Sequence, residues 1–77
     1  SSHSDEALSC YFKALQIKPS YVRARSNLGI SYIALEEYEK AARCFLGALS
    51  MHPNASQLWE NLQRVFMSMG RNDLWDK

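Results

Sequence analysis

With 77 residues, the chain is one small domain at most, in the size range where a single hydrophobic core is marginal. A formal net charge of +1 suits neither nucleic acid nor an anionic membrane surface as a partner; no apolar run approaches the roughly 20 residues of a membrane-spanning helix, and no secretory signal pattern opens the chain. Cys10 and Cys44 lack the spacing of a metal site or a disulfide framework, and as free thiols on helices they fit a reducing compartment.

In chain order, Ser1 to His3 are expected to fray, and Ser4 is placed to cap a first helix, with Asp5 and Glu6 in the turn where the helix dipole favours negative charge. Ala7, Leu8, Tyr11, Ala14, Leu15 and Ile17 give that helix, residues 4–18, a broad apolar face. Lys18-Pro19-Ser20 ends it, and Ser20 is available to cap the next helix, from Tyr21 to about Leu35. Glu36-Glu37 makes a tight turn, and a third helix follows from Tyr38 to Met51. His52, beside Pro53, reads as a surface residue near a helix end rather than a ligand. Asn54 is expected to cap the fourth helix with Gln57 as its capping-box partner, and Gly70 to close it, so that this element covers residues 56–70. Residues 71–77 read as the start of a further element or a tail, with Leu74 and Trp75 in need of a surface to cover.

The helices repeat. Residues 22–55 contain Leu28-Gly29-x-x-Tyr32, then Ala41, Phe45, Ala48 and Pro53; one period upstream stand Ala7, Tyr11, Ala14 and Pro19, and one period downstream Leu62 and Phe66. Gly29, inside a helix, costs about 1 kcal/mol against Ala and needs a packing reason. That reason is a close crossing of two helices, where Gly29 and Ala41 have almost no side chain and Leu28, Tyr32, Phe45 and Leu49 fill the surrounding space. Downstream, the glycine position is Gln63, while Trp59 takes the aromatic position of a first helix. This order resembles the tetratricopeptide repeat, a helix–turn–helix unit of about 34 residues. The resemblance implies an all-α fold of repeated helical hairpins, a piece of an α-solenoid with helix order B-A-B-A: a second helix, one complete repeat over 22–55, and a further first helix.

No catalytic constellation, phosphate loop or metal cluster is present; Glu36, Glu37 and Glu39 fall on a turn and a solvated face. No cofactor and no enzyme activity are therefore expected. What a repeat array offers is a concave surface built from its first helices. Counting three and four residues from Leu28 and Tyr32 leaves Arg23, Ser26, Asn27, Ile30, Ile33 and Ala34 to face that groove, with Gln57, Glu60, Asn61, Arg64, Met67 and Ser68 as their equivalents in the fourth helix. Asn27 and Asn61 share a repeat position. An Asn amide offers both donor and acceptor to an extended peptide, and the planar fork of Arg23 suits a carboxylate. The candidate peptide-binding set is Arg23, Asn27, Ile30, Ala34 and Asn61; the alternative is that the polar members merely solvate an open face.

Beyond the repeat signature, Pro19 through Ser31 (Pro-Ser-Tyr-Val-Arg-Ala-Arg-Ser-Asn-Leu-Gly-Ile-Ser), Phe45-Leu46-x-Ala48-Leu49-x-Met51 and Trp59-x-x-Leu62-x-x-Val65-Phe66-x-x-Met69 resemble the last repeat and terminal stretch of the peroxisomal import receptors for C-terminal targeting signals. The resemblance implies binding of cargo proteins that end in a Ser-Lys-Leu type tripeptide, with asparagines holding the cargo backbone and an arginine its carboxylate, on the positions of Asn27 and Arg23. It also implies the peroxisomal import machinery as partner, no nucleic acid, no membrane span of its own, and a cytoplasmic protein that cycles to the peroxisome membrane. Where that family often carries another Asn, this chain has Ala34. The rival readings are a generic adaptor or co-chaperone scaffold, whose groove would need several Lys and Arg residues to hold an acidic tail, and a purely architectural stacking segment. The chain reads as a fragment of a longer superhelix. By itself it is expected to bind such peptides weakly or not at all, and to self-associate through faces around Leu8, Tyr11 and Leu15 and around Trp59, Leu62 and Phe66.

Overall fold

Apolar residues at helical spacing fold residues 3–71, which a computed structural model describes, into four antiparallel-running α-helices: α1 (His3–Ile17), α2 (Val22–Ala34), α3 (Tyr38–Met51) and α4 (Ser56–Ser68). Leu74 and Trp75, expected to seek a surface, lie outside the described residues. Each helix packs on its sequence neighbour, and α2 additionally touches α4. That is the contact pattern of a solenoid, in which every unit meets only the next. The Cα atoms spread over 35 × 28 × 15 Å.

The core lies between α3 and α4 with α2 laid over it. Ala41, Phe45, Ala48, Leu49, Leu58, Leu62 and Val65 are buried together, and Val22, Tyr32, Ile33, Phe66 and Met69 pack against them. Two sequence expectations change here. Ile33, counted toward the groove, packs on this core instead. Leu62 is buried and Phe66 half-buried against the cluster, because α3 covers them, so of the residues expected to leave α4 open only Trp59 is substantially exposed. On α1, Leu8, Tyr11 and Leu15 are half-covered, and the exposed apolar side chains there are Phe12 and Ile17.

Gly29 has the packing reason its position demanded, and of the residues expected around the crossing Phe45 is the one that lies against it. A methyl group built on Gly29 would stand 2.8 Å from Cζ of Phe45, and the Phe45 ring is fully buried. The glycine therefore makes room for an aromatic ring on α3, and Ala41 is buried in the same core.

Helix ends follow the repeat rather than side-chain capping. The first helix begins at His3, so Ser4 lies within its first turn. Tyr21 precedes α2 and Ala55 precedes α4, neither with a side-chain cap; Ser20, Asn54 and Gln57 do not play the capping roles expected of them. The backbone closes both links instead: Tyr21 N–H donates to the Lys18 carbonyl (2.9 Å) and Ala55 N–H to that of His52 (3.2 Å). Arg25 then reaches back to the Pro19 carbonyl (2.9 Å) and the Trp59 indole N–H to that of Pro53 (2.7 Å). These pairs are one repeat apart, so two chemically different donors do the same job of tying the A helix to the turn before it.

The C-terminal ends of α2 and α4 repeat as well. After α2, Glu36 N–H donates to Ile33 O and Glu37 N–H to Tyr32 O, both at 2.9 Å; after α4, Gly70 N–H donates to Met67 O at 3.0 Å and Arg71 N–H to Phe66 O at 2.8 Å. Both are Schellman closures, which require a left-handed residue at their centre. Gly70 supplies it at φ 71°, whereas Glu36 adopts φ 60° with a side chain in place. A left-handed L-residue costs roughly 1–2 kcal/mol, partly offset by the extra freedom a glycine has when unfolded. Glu36→Gly is therefore expected to stabilise the fold by about 0.5–1 kcal/mol, read as a higher urea midpoint at unchanged slope; a lower midpoint would contradict this account of the turn.

Candidate functional site

The A helices α2 and α4 run side by side with the α3–α4 link beside them, and between them opens a cleft of about 410 Å³. Helical spacing puts Arg23, Ser26, Asn27 and Ile30 along one wall, while Gln57, Leu58 and Asn61 form the other; Val22, His52 and Ala55 complete it. Four of the five residues singled out from the sequence, Arg23, Asn27, Ile30 and Asn61, thus meet around one opening. The fifth, Ala34, is exposed at the last turn of α2 and stands apart from this cleft.

The two equivalent asparagines sit differently. Asn61 is only 5% exposed and is the buried polar side chain among the described residues, whereas Asn27 is half-buried. Asn61 lies on a helix that has α2 beside it; on the other side of α2 stands α1, a B helix. There Arg23 and Asn27 also line a second, smaller opening of about 190 Å³ with Tyr11, Ala14, Tyr21 and Ala24. Arg23 and Asn27 are therefore the ridge between two clefts.

The charge of the larger cleft is one-sided. Arg23 and His52 line it and no carboxylate does. Glu60, the acidic residue of α4, lines a separate hollow with Gln63, Arg64, Met67 and Ser68. A groove with a guanidinium, the three amides of Asn27, Gln57 and Asn61, and apolar Val22, Ile30, Ala55 and Leu58 is suited to an extended chain that ends in a negative charge. Sequence reasoning missed His52 as a lining residue. It is exposed, as expected, but the turn after α3 carries it alongside the A helices; its place immediately before Pro53 at the B-to-A link was the available signal.

A second polar cluster lies between α2 and α3. Arg25 lies across Gly47, its Cδ 3.2 Å from where a Cβ would stand, and its Nε is buried without a partner. Burial pushes the nearby Cys44 thiol up, and the Arg25 charge pulls it partly back, so at neutral pH the thiol stays protonated and unreactive. Cys44 and the exposed Cys10 are both free. No group of residues able to hold a metal ion occurs among the described residues, and no described helix is long and apolar enough to cross a membrane.

Comparison with known proteins agrees with this architecture. The tetratricopeptide repeat profile matches residues 22–55. The peroxisomal targeting signal receptor of Candida albicans is 44% identical across 96% of the chain, that of Kluyveromyces lactis 42% across all of it, and that of Candida glabrata 38% across all of it. The chain spans only 15%, 16% and 18% of these relatives, about a sixth of their length. The alignments run longer than the chain, so the relatives carry inserted residues within the matched region. Residues 22–55 thus form a tetratricopeptide-repeat hairpin, and along nearly its whole length the chain is similar to a part of the peroxisomal targeting signal receptors.

Proposed function

We propose that the chain contributes the cleft between α2 and α4 to a receptor for peroxisomal import, and that this cleft holds the C-terminus of a cargo protein ending in a Ser-Lys-Leu type tripeptide. Arg23 takes the terminal carboxylate, Asn27 and Asn61 pair with the peptide backbone, and the apolar floor receives the terminal side chain. The observation carrying this reading is the convergence of Arg23, Asn27, Ile30 and Asn61 on one opening without a carboxylate. On this reading the protein works in the cytoplasm, cycles to the peroxisome membrane and meets the import machinery there. An acidic chaperone tail fits less well, since among the described residues Arg23 is the one Lys or Arg side chain lining the cleft.

Both walls of the cleft belong to this chain, so it should bind on its own, though weakly, being about a sixth of its relatives' length. Titration of the isotope-labelled chain with a peptide ending in Ser-Lys-Leu should shift the amide signals of Arg23, Asn27 and Asn61, and the same peptide with its C-terminus amidated should not. Asn27→Ala should weaken binding by on the order of 1–3 kcal/mol, the cost of stranding a buried polar group on the partner. Equal shifts with the free and the amidated peptide would refute carboxylate recognition. Self-association, proposed on the same footing, draws on the exposed Phe12, Ile17 and Leu46; a sedimentation coefficient that stays monomeric at high concentration would dismiss it.

A further inference from the structure

We infer that His52 is a second, protonation-dependent cation of the same cleft and sets how strongly an anionic C-terminus is held; the inference rests on the peptide-binding reading of the cleft. His52 stands at the C-terminal end of α3, its backbone N–H donating to Ala48 O at 3.0 Å. His52 lines the opening from the α3–α4 link, with Arg23 on α2 lining it as well. The groups around it are few. The last turn of α3 has no basic residue, the first turn of α4 no acidic one, and Pro53, Asn54 and Ala55 carry no charge. Among the cleft-lining side chains of α2, Arg23 alone is charged; Arg25 is turned to the other side of that helix, against Gly47. Glu60 and Arg64 of α4 line a different hollow. Among the described residues, therefore, no carboxylate lining the cleft competes for a protonated imidazole, and an incoming carboxylate is its natural counter-ion.

Histidine changes charge between about pH 5 and pH 8, whereas a peptide's terminal carboxylate stays ionised throughout that window. Going from the neutral to the protonated imidazole adds one positive charge to a cleft whose permanent charge is the Arg23 guanidinium. The sign follows: affinity for a free C-terminus rises as pH falls. His52 is exposed and screened by solvent, so the gain is modest, about two- to fivefold.

The test is the same titration of the labelled chain, with a Ser-Lys-Leu peptide and its amide, from about pH 8 to about pH 5.5, on the wild type, His52→Gln and, as control for the other histidine, His3→Gln. The wild type and His3→Gln should bind the free-carboxylate peptide about two- to fivefold more tightly at the low end, and His52→Gln should bind with an affinity that is flat across the range. A pH dependence that survives in His52→Gln, or a wild-type affinity that is flat or falls with acidification, overturns this inference alone. Failure of the peptide to bind at any pH overturns the peptide-binding reading, and this inference with it.

Discussion

Phe45→Ala is expected to remove about 3–5 kcal/mol of folding stability, the range for truncating a fully buried aromatic side chain. The ring is completely buried and lies over Gly29 on one side, with Ala41, Ala48 and Leu49 of its own helix and Leu58, Leu62 and Val65 of α4 in the same cluster. Its neighbours are poorly placed to collapse into the space it would leave. Glycine and alanine have nothing to extend, and Leu62 and Val65 are already buried in contact with the rest of the core. A chain of this size has a total stability of roughly 4–12 kcal/mol, so the loss is a large share of what holds the fold together. Urea unfolding followed by far-UV circular dichroism decides the matter. Leu46→Ala, at a side chain 49% exposed on the same helix, is the control and should stay within about 0.5 kcal/mol of wild type. A similar small loss for Phe45→Ala would show that the α2–α3 crossing is not organised around the ring.

Gly29→Leu is expected to cost about 3 kcal/mol, at the upper end of the range for overpacking. Its first added carbon alone would stand 2.8 Å and 2.9 Å from two ring carbons of Phe45, and a fully buried ring has no free volume to rotate into. Helix propensity acts in the opposite direction, since leucine is favoured over glycine by up to about 1 kcal/mol in a helix interior. Sterics win because the clash is with the middle of the core. Gly47 shows the contrast: a methyl group there meets the aliphatic part of Arg25 at 3.2 Å, a flexible side chain that can yield, so Gly47→Ala should be neutral or slightly stabilising. The decisive measurement is a double-mutant cycle. If the ring is what excludes a side chain at position 29, the penalty of Gly29→Leu should vanish or reverse in the Phe45→Ala background. A penalty unchanged by removal of the ring would place the obstruction in the backbone.

Much of this fold was legible in the chain itself. Helical spacing of apolar residues, punctuated by Lys18-Pro19, Glu36-Glu37 and His52-Pro53, placed the four helices to within a residue or two, because periodicity and turn chemistry are local properties. The repeat register put Asn27 and Asn61 in equivalent positions before any coordinates were needed. Three matters were decided only by tertiary structure. The A helices are tied to their preceding turns by Arg25 and Trp59 donating to the proline carbonyls, and neither Ser20 nor Asn54 supplies a side-chain cap, because which side chain reaches the turn depends on how the helix docks. Ile33 went to the core and Ala34 away from the cleft, since the width of a helix's buried stripe depends on how closely its neighbours approach, and that approach is set here by the Gly29–Phe45 contact. His52 joined the cleft because the α3–α4 link returns beside α2, bringing together residues 23 and 52, a proximity between distant positions that the residues of the link do not encode by themselves.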